Sequence, residues 1–236
     1  MLLFLFGKRT SLKIRPKYFK LQAGIIFPSP ALGFSTFVMQ ASESIILICF
    51  NSSLYKYGGD IAVGAMTVLS SVMQFAMLPL QGLGQGAQPI ISYNYGAKNS
   101  ARVKKAFKLL LISSLCYSVT LWALVMAIPQ AFVMMFNTNE GLVSYTVPAL
   151  RIYLGALLLF GIQIACQMTF TSMGNAAASV IVAVVRKFVL LLPLIYIMPL
   201  VYTADKATAV FMAEPIADTI AVLFTAILFF FQFRRF

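Results

Sequence analysis

The sequence predicts an all-α integral membrane protein built as a bundle of six membrane-spanning helices. Three observations predict it. Of 236 residues, 61% are hydrophobic and only 10% are charged, against roughly 25% charged in an average soluble domain, so no soluble core could hide the apolar surface. The apolar runs are about 20 to 30 residues long and lack the strict alternation of barrel strands. A helix, finally, satisfies its own backbone polar groups in hydrocarbon, where water cannot.

The opening "MLLFLF" has six apolar residues before Gly7, too few to span or to form a signal-peptide core with its cleavage site. It reads as the tail of a helix whose beginning is missing, so residues 1–26 are expected to be the end of a preceding helix and a basic linker, with the six-helix bundle over 27–236. The spans are expected at 27–53, 61–84, 103–127, 142–171, 175–200 and 207–232. Each is long enough to cross about 30 Å of hydrocarbon at about 1.5 Å per residue.

Between the first two spans, "NSSLYKYGGD" (51–60) is a turn with Gly58-Gly59 as its breaker. After the second comes "QGLGQGAQPIISYNYGA" (81–97), which reads as a helix exit and connection. Here Gly82 and Gly86 form a GxxxG pair for close helix approach, Pro89 is a breaker, and Tyr93 and Tyr95 sit at the membrane interface. With Asn94 and Gly96 they make a structural and gating motif rather than a substrate contact. The apolar middle of 127–140 predicts a short helix at the membrane surface.

Orientation follows from lysine and arginine. Lys8, Arg9, Lys13, Arg15, Lys17 and Lys20 precede the first span, Lys98, Arg102, Lys104, Lys105 and Lys108 follow the second, and Arg234 and Arg235 end the chain. Thirteen of the 18 basic residues thus fall on one side, which the positive-inside rule makes cytoplasmic, together with both termini. The basic run after span two can also contact anionic lipid. The other side holds Lys56 and Lys206 beside Asp60, Glu140 and Asp205.

An ionisable side chain facing lipid costs several kcal/mol, roughly, so charges inside spans are the first places to look for function. Glu43 lies midway along span one, with Gln40 three residues earlier on the same face. It suits a group that exchanges a proton or cation, or else one that holds two helices together by an ion pair with Arg186 of span five. Glu214 and Asp218, spaced i, i+4 on span six, repel unless one is protonated, wetted or neutralised by Arg186. Lys187 can snorkel, and Arg151 can line the interior. Gln163 and Gln167 form a polar i, i+4 pair suited to knitting helices together or lining a cavity. Pro148, Pro193 and Pro215 interrupt spans, as happens at transporter sites and also where proline is simply tolerated.

Other chemistries find little support. The net charge of +12 suggests nucleic acid, but no soluble domain or continuous basic face carries it. Cys49, Cys116 and Cys166 are far apart, and there is no histidine, which disfavours disulfides and metal sites. Without a nucleophile–base pair or a phosphate loop, neither an enzyme nor a cofactor is expected.

"GLGQGAQPIISYNYGAKNSARVKKA" resembles the signature of the MATE (multidrug and toxic compound extrusion) transporters, with the MepA-like branch nearest. "YKYGGDIAVGAM", "TFTSMGNAAASVIVAVVRKFVLLLPLIYIMP" and "AEPIADTIAVLFTAIL" extend the likeness, in order, over essentially the whole chain. The resemblance implies the C-terminal lobe only of a twelve-helix antiporter that expels small cationic and amphiphilic compounds on an H⁺ or Na⁺ gradient, in the plasma membrane. It implies dependence on an N-terminal six-helix lobe and the loss or separate encoding of that lobe. Glu43 matches the acidic position that the Na⁺-driven branch uses for its cation, and Arg186 an arginine recurrent in its helix. The second acidic position of that cation site falls near Ile162 or Gln163 and is not acidic here. A transporter of lipid-linked or polysaccharide cargo and a non-transporting scaffold are the competing readings; the basic residues cluster outside the spans, against the first, and the intramembrane charges speak against the second.

Overall fold

The fold is that of a computed structural model describing residues 28–174 and 181–233, with backbone alone for 28–40 and 232. The expected basic linker, Asn175 and the terminal Arg234 and Arg235 lie outside these residues. The chain falls into two compact units, residues 1–42 and 43–236. Little of the first is described beyond its helical backbone from Pro28, and the packing below is that of the second.

Every described regular element is helical: α1 (Pro28–Gly96), α2 (Ser100–Ala127), α3 (Pro129–Met134), α4 (Glu140–Tyr153), a 3-10 turn (Leu157–Leu159), α5 (Phe160–Ser172), a π-helical segment (Val185–Leu191), α6 (Leu192–Val201) and α7 (Lys206–Phe233). Residues 181–184 are helical too and lead into the π segment. Length and hydropathy qualify 41–96, α2, 181–201 and α7 as membrane spans, and the bent pair 140–153 and 157–172 as a further one.

The first of these is two spans. At Gly59 the backbone turns to φ 65°, ψ −160°, a region open in practice only to glycine, and the contacts on either side show that the chain reverses there. Descending from Gly58, the earlier arm passes Tyr145 and then stacks Phe50 edge-on against Tyr153. Rising in number from Gly64, the later arm passes Leu142, then Met168 at Gly84 and Ser172 at Ser92. Both arms therefore run down the same 140–172 segment in opposite directions. The remaining passes alternate. α2 starts with Phe107 against Phe229 of α7 and climbs past Gly161 to Leu158; α7 starts with Ala207 against Gly58 and ends with Phe233 beside Phe107. With the arms of α1 counted apart, the described residues hold six helical passes, in line with the expected number, and a short α3 where a surface helix is expected.

Three elements differ from expectation in their details. The second pass runs to Gly96, not 84, because Pro89 sits inside the helix without ending it. Proline costs one hydrogen bond, which a spanning helix tolerates, and the turn at Ala97-Lys98 then leads to Asn99, whose side chain caps α2 by accepting from the Arg102 amide. The fourth pass breaks, bending by 41°. The break falls at Leu154–Ala156, after Pro148 has been accommodated inside α4. In the fifth pass, Pro193 cannot donate to the carbonyl four residues earlier, and the turns before it widen into the π segment.

The core is aliphatic and aromatic. Phe50, Leu54, Leu69, Leu150, Leu157, Phe160, Leu191 and Phe211 are fully buried. At the Asn99 end Phe107, Phe170, Phe229 and Phe233 stack ring to ring across α2, α5 and α7. Outward-facing positions such as Ile48, Leu78, Leu109, Leu200, Leu223 and Phe231 are apolar and exposed, as a lipid-facing surface requires.

Candidate functional site

Charge gathers where the fourth and fifth passes are irregular. Arg186, on the π segment, donates from Nε to Asp218 Oδ1 at 2.6 Å and from Nη2 to Glu214 Oε1 at 3.4 Å. Both carboxylates project from one face of α7 and are nearly inaccessible, Glu214 at 4% and Asp218 at 1% exposure. The guanidinium also lies 5.0 Å from the ring centroid of Phe160, the first residue after the 3-10 turn. The cluster is therefore framed by the broken fourth pass, and Gly155 at the break approaches Pro215 of α7.

The next residue, Lys187, donates to Glu43 Oε2 at 2.9 Å. This pair is lopsided: the lysine side chain is 13% exposed and the glutamate 58%. The structure thus joins all four charged residues singled out in the sequence, but pairs them differently from one alternative raised there. Glu43 meets Lys187 instead of Arg186, while Arg186 bridges the two members of the i, i+4 pair on α7. Lys187, expected to snorkel, instead finds a partner whose choice depends on the rotation of a π turn. Tyr153, buried on α4, lies within electrostatic reach of Glu43, Arg186, Glu214 and Asp218. One further atom stands out: Asp218 Oδ2 is buried and, among the described residues, has no hydrogen-bond partner.

Of the remaining expected residues, Gln40 is in the helix but its side chain lies outside the described residues. Gln163 is buried at 3%, with Oε1 unpartnered among the described residues; Gln167 is half-buried. Arg151 is exposed, lining a surface cleft with Pro129, Gln130 and Val147.

The glycine motif needs correction. A Cβ at Gly82, Gly86 or Gly96 would meet nothing within 4 Å, so Gly82 and Gly86 bring no described helix closer. The close approach is at Gly84, between them, where a Cβ would stand 2.5 Å from Met168 Cγ. The helical rotation that points Gly84 at α5 turns its neighbours two residues away outward. Tyr93 and Tyr95 are exposed, and Asn94 is buried with its Nδ2 donating back to the Ile90 carbonyl at 2.8 Å.

Comparison with known proteins gives concordant findings. The family model MatE matches residues 35–197. The multidrug export protein MepA of Staphylococcus aureus (strain NCTC 8325 / PS 47) is 25% identical over 192 residues, which are 81% of this chain and 41% of that protein. MepA of Staphylococcus haemolyticus (strain JCSC1435) is 23% identical over 189 residues, 80% of this chain and 40% of its own. Among solved structures, a MATE crystal structure in the bent conformation superposes with a TM-score of 0.86 at 19% identity, covering 99% of this chain and 51% of that one. A MOP superfamily transporter from Pyrococcus furiosus gives 0.84 at 19% identity, covering 98% and 52%. At such identities the structural likeness speaks for the fold. The chain spans about half the length of the proteins it matches.

Proposed function

This chain belongs to the MATE family, and from that membership we propose that it forms one lobe, the C-terminal one, of an efflux antiporter for small cationic or amphiphilic compounds driven by an H⁺ or Na⁺ gradient. The observation that carries the reading is the charge cluster inside the bundle, Glu43, Arg186, Lys187, Glu214 and Asp218, set beside a broken span. Charge at that depth is costly to a protein that merely sits in a bilayer. Irregular helix at membrane depth is tolerated where it is buried in protein or lines a cavity. In this reading Glu43, half in water, exchanges the coupling ion or meets the cationic substrate, and Gln40 belongs to the same face.

A second six-helix lobe completes the substrate path, in keeping with a chain that aligns with about half of each solved transporter. The exposed run Lys98, Arg102, Lys104, Lys105 and Lys108 supports a reading in which the Asn99 end faces the cytoplasm, against the anionic lipid of the plasma membrane.

The test is ethidium efflux from cells expressing this chain alone or with the N-terminal lobe of a MATE transporter, under imposed H⁺ and Na⁺ gradients. Gradient-dependent efflux is expected with the added lobe. Its absence in both preparations favours a scaffold. Efflux unchanged in Glu43→Gln removes Glu43 from the coupling role.

A further inference from the structure

We propose that Glu214 and Asp218 together hold one proton, with Arg186 balancing the single charge that remains, so that this half of the molecule carries its own one-proton site on its last helix. The inference deepens the coupling role proposed above and rests on it for its use, though not for its chemistry.

Counting charge leads to it. The five charged side chains divide into two groups. Lys187 and Glu43 cancel, and Glu43 is largely exposed. Arg186 faces two carboxylates, both nearly inaccessible, so with both ionised a net negative charge would be buried beside Phe160. Burying an uncompensated charge costs several kcal/mol, roughly, and two like carboxylates on one site are relieved when one takes up a proton. The geometry supplies the atom. Asp218 gives Oδ1 to Arg186 at 2.6 Å, while Oδ2 is buried without a partner. An unpartnered oxygen of an ionised carboxylate in the interior is the costliest state of that group; an added proton turns the pair into one acid and one carboxylate.

Every element packed on α7 bears on this. The π segment contributes Arg186 and Lys187, and α4 contributes Tyr153. Glu43 acts from α1. The 3-10 turn, Leu157–Leu159, has no titratable group. Cys166 of α5 packs with Phe170 and Phe229, and Tyr196 of α6 is exposed. Lys187 is as buried as Arg186, its side chain 13% exposed, but its ammonium is held by Glu43 at 2.9 Å, so the second buried carboxylate is left without a cation of its own. A hard metal cation, by contrast, wants several oxygen ligands and would sit against the guanidinium already bound to the same carboxylate.

The experiment is infrared spectroscopy of the full chain in detergent at neutral pH, following the carbonyl stretch of a protonated carboxylic acid and its shift in D₂O. One such band is expected in the unaltered protein. It should vanish in Asp218→Asn and equally in Glu214→Gln, since either leaves one carboxylate against Arg186, and persist in Glu140→Gln, an exposed site. No band in the unaltered protein overturns the proposal, as does survival of the band in either variant, each checked for helical circular dichroism. The readout needs no transport, so a proton band without ethidium efflux leaves this site standing and fails the antiporter reading alone.

Discussion

Arg186 and Lys187 are neighbours on one π turn, yet their salt bridges live in different solvents. Arg186 reaches two carboxylates at 1% and 4% exposure, while Lys187 reaches one whose side chain is 58% exposed. The first arrangement fixes a guanidinium and two carboxyl groups whose removal from water must be repaid by geometry. The second is free to open, because water competes for Glu43 at every moment. A single irregular turn thus sets a fastened contact beside a releasable one, and the sharper chemistry belongs to the fastened one, where carboxylates outnumber cations.

The comparison can be broken most forcefully at Arg186. Arg186→Met strands two buried carboxylates and should cost about 3–5 kcal/mol, read as a lowered midpoint of denaturant-induced unfolding in detergent. Next comes an interior that tolerates no added atom. Gly161→Ala would place Cβ 2.7 Å from the Ser114 carbonyl oxygen, and overpacking against backbone costs about 1–3 kcal/mol, whereas Gly82→Ala, in open space, should leave the midpoint unchanged or raise it slightly.

A wetter contact should count for less. Asp205 caps α7, accepting from the Thr208 hydroxyl at 2.5 Å and from the Ala207 and Thr208 amides. These hydrogen bonds, the hydroxyl first, hold its carboxyl below the ordinary aspartate range. A depressed folded value means that its contribution is complete above the unfolded value of about 3.9, and is lost as pH falls through the folded one. Asp205→Ala should therefore cost about 1 kcal/mol at pH 7, and the difference from the unaltered chain should shrink as the unfolding midpoint is followed into acid. Smallest is the lopsided pair: a double-mutant cycle of Glu43→Gln and Lys187→Met should give a coupling of about 0.2–1 kcal/mol, falling as salt is raised. A coupling as large as the Arg186 effect would mean that the two bridges are alike after all.

Much of the fold could be read in advance, since hydropathy and length are local quantities. The six passes, the glycine reversal after Tyr57 and the surface helix at 129–134 all follow from short stretches of residues. Pro89 and Pro148 misled because a proline reports a lost hydrogen bond and says nothing about whether the surroundings can bear it. The break at Leu154–Ala156 arises where α4 and α5 meet α7 and the π segment, which no local pattern encodes. In the site, the identity of the charged residues was plain from their apolar setting, but the pairing was not. Whether Glu43 meets residue 186 or 187 depends on the rotation of a helix about its axis, as does the choice among Gly82, Gly84 and Gly86.

Gly59 has a consequence for assembly. Because the reversal takes one residue, the arms around it close with almost no loop, and the entropy of bringing two spans together grows with loop length. That pair is thus the least costly long-range contact for the chain to make. The 140–172 segment touches both arms, so it has a ready-made groove to enter, and the two passes joined at Gly59 become the template on which the passes that follow them are sorted. A residue with no side chain, at the rim of the bundle, in this way sets the order in which the bundle is built.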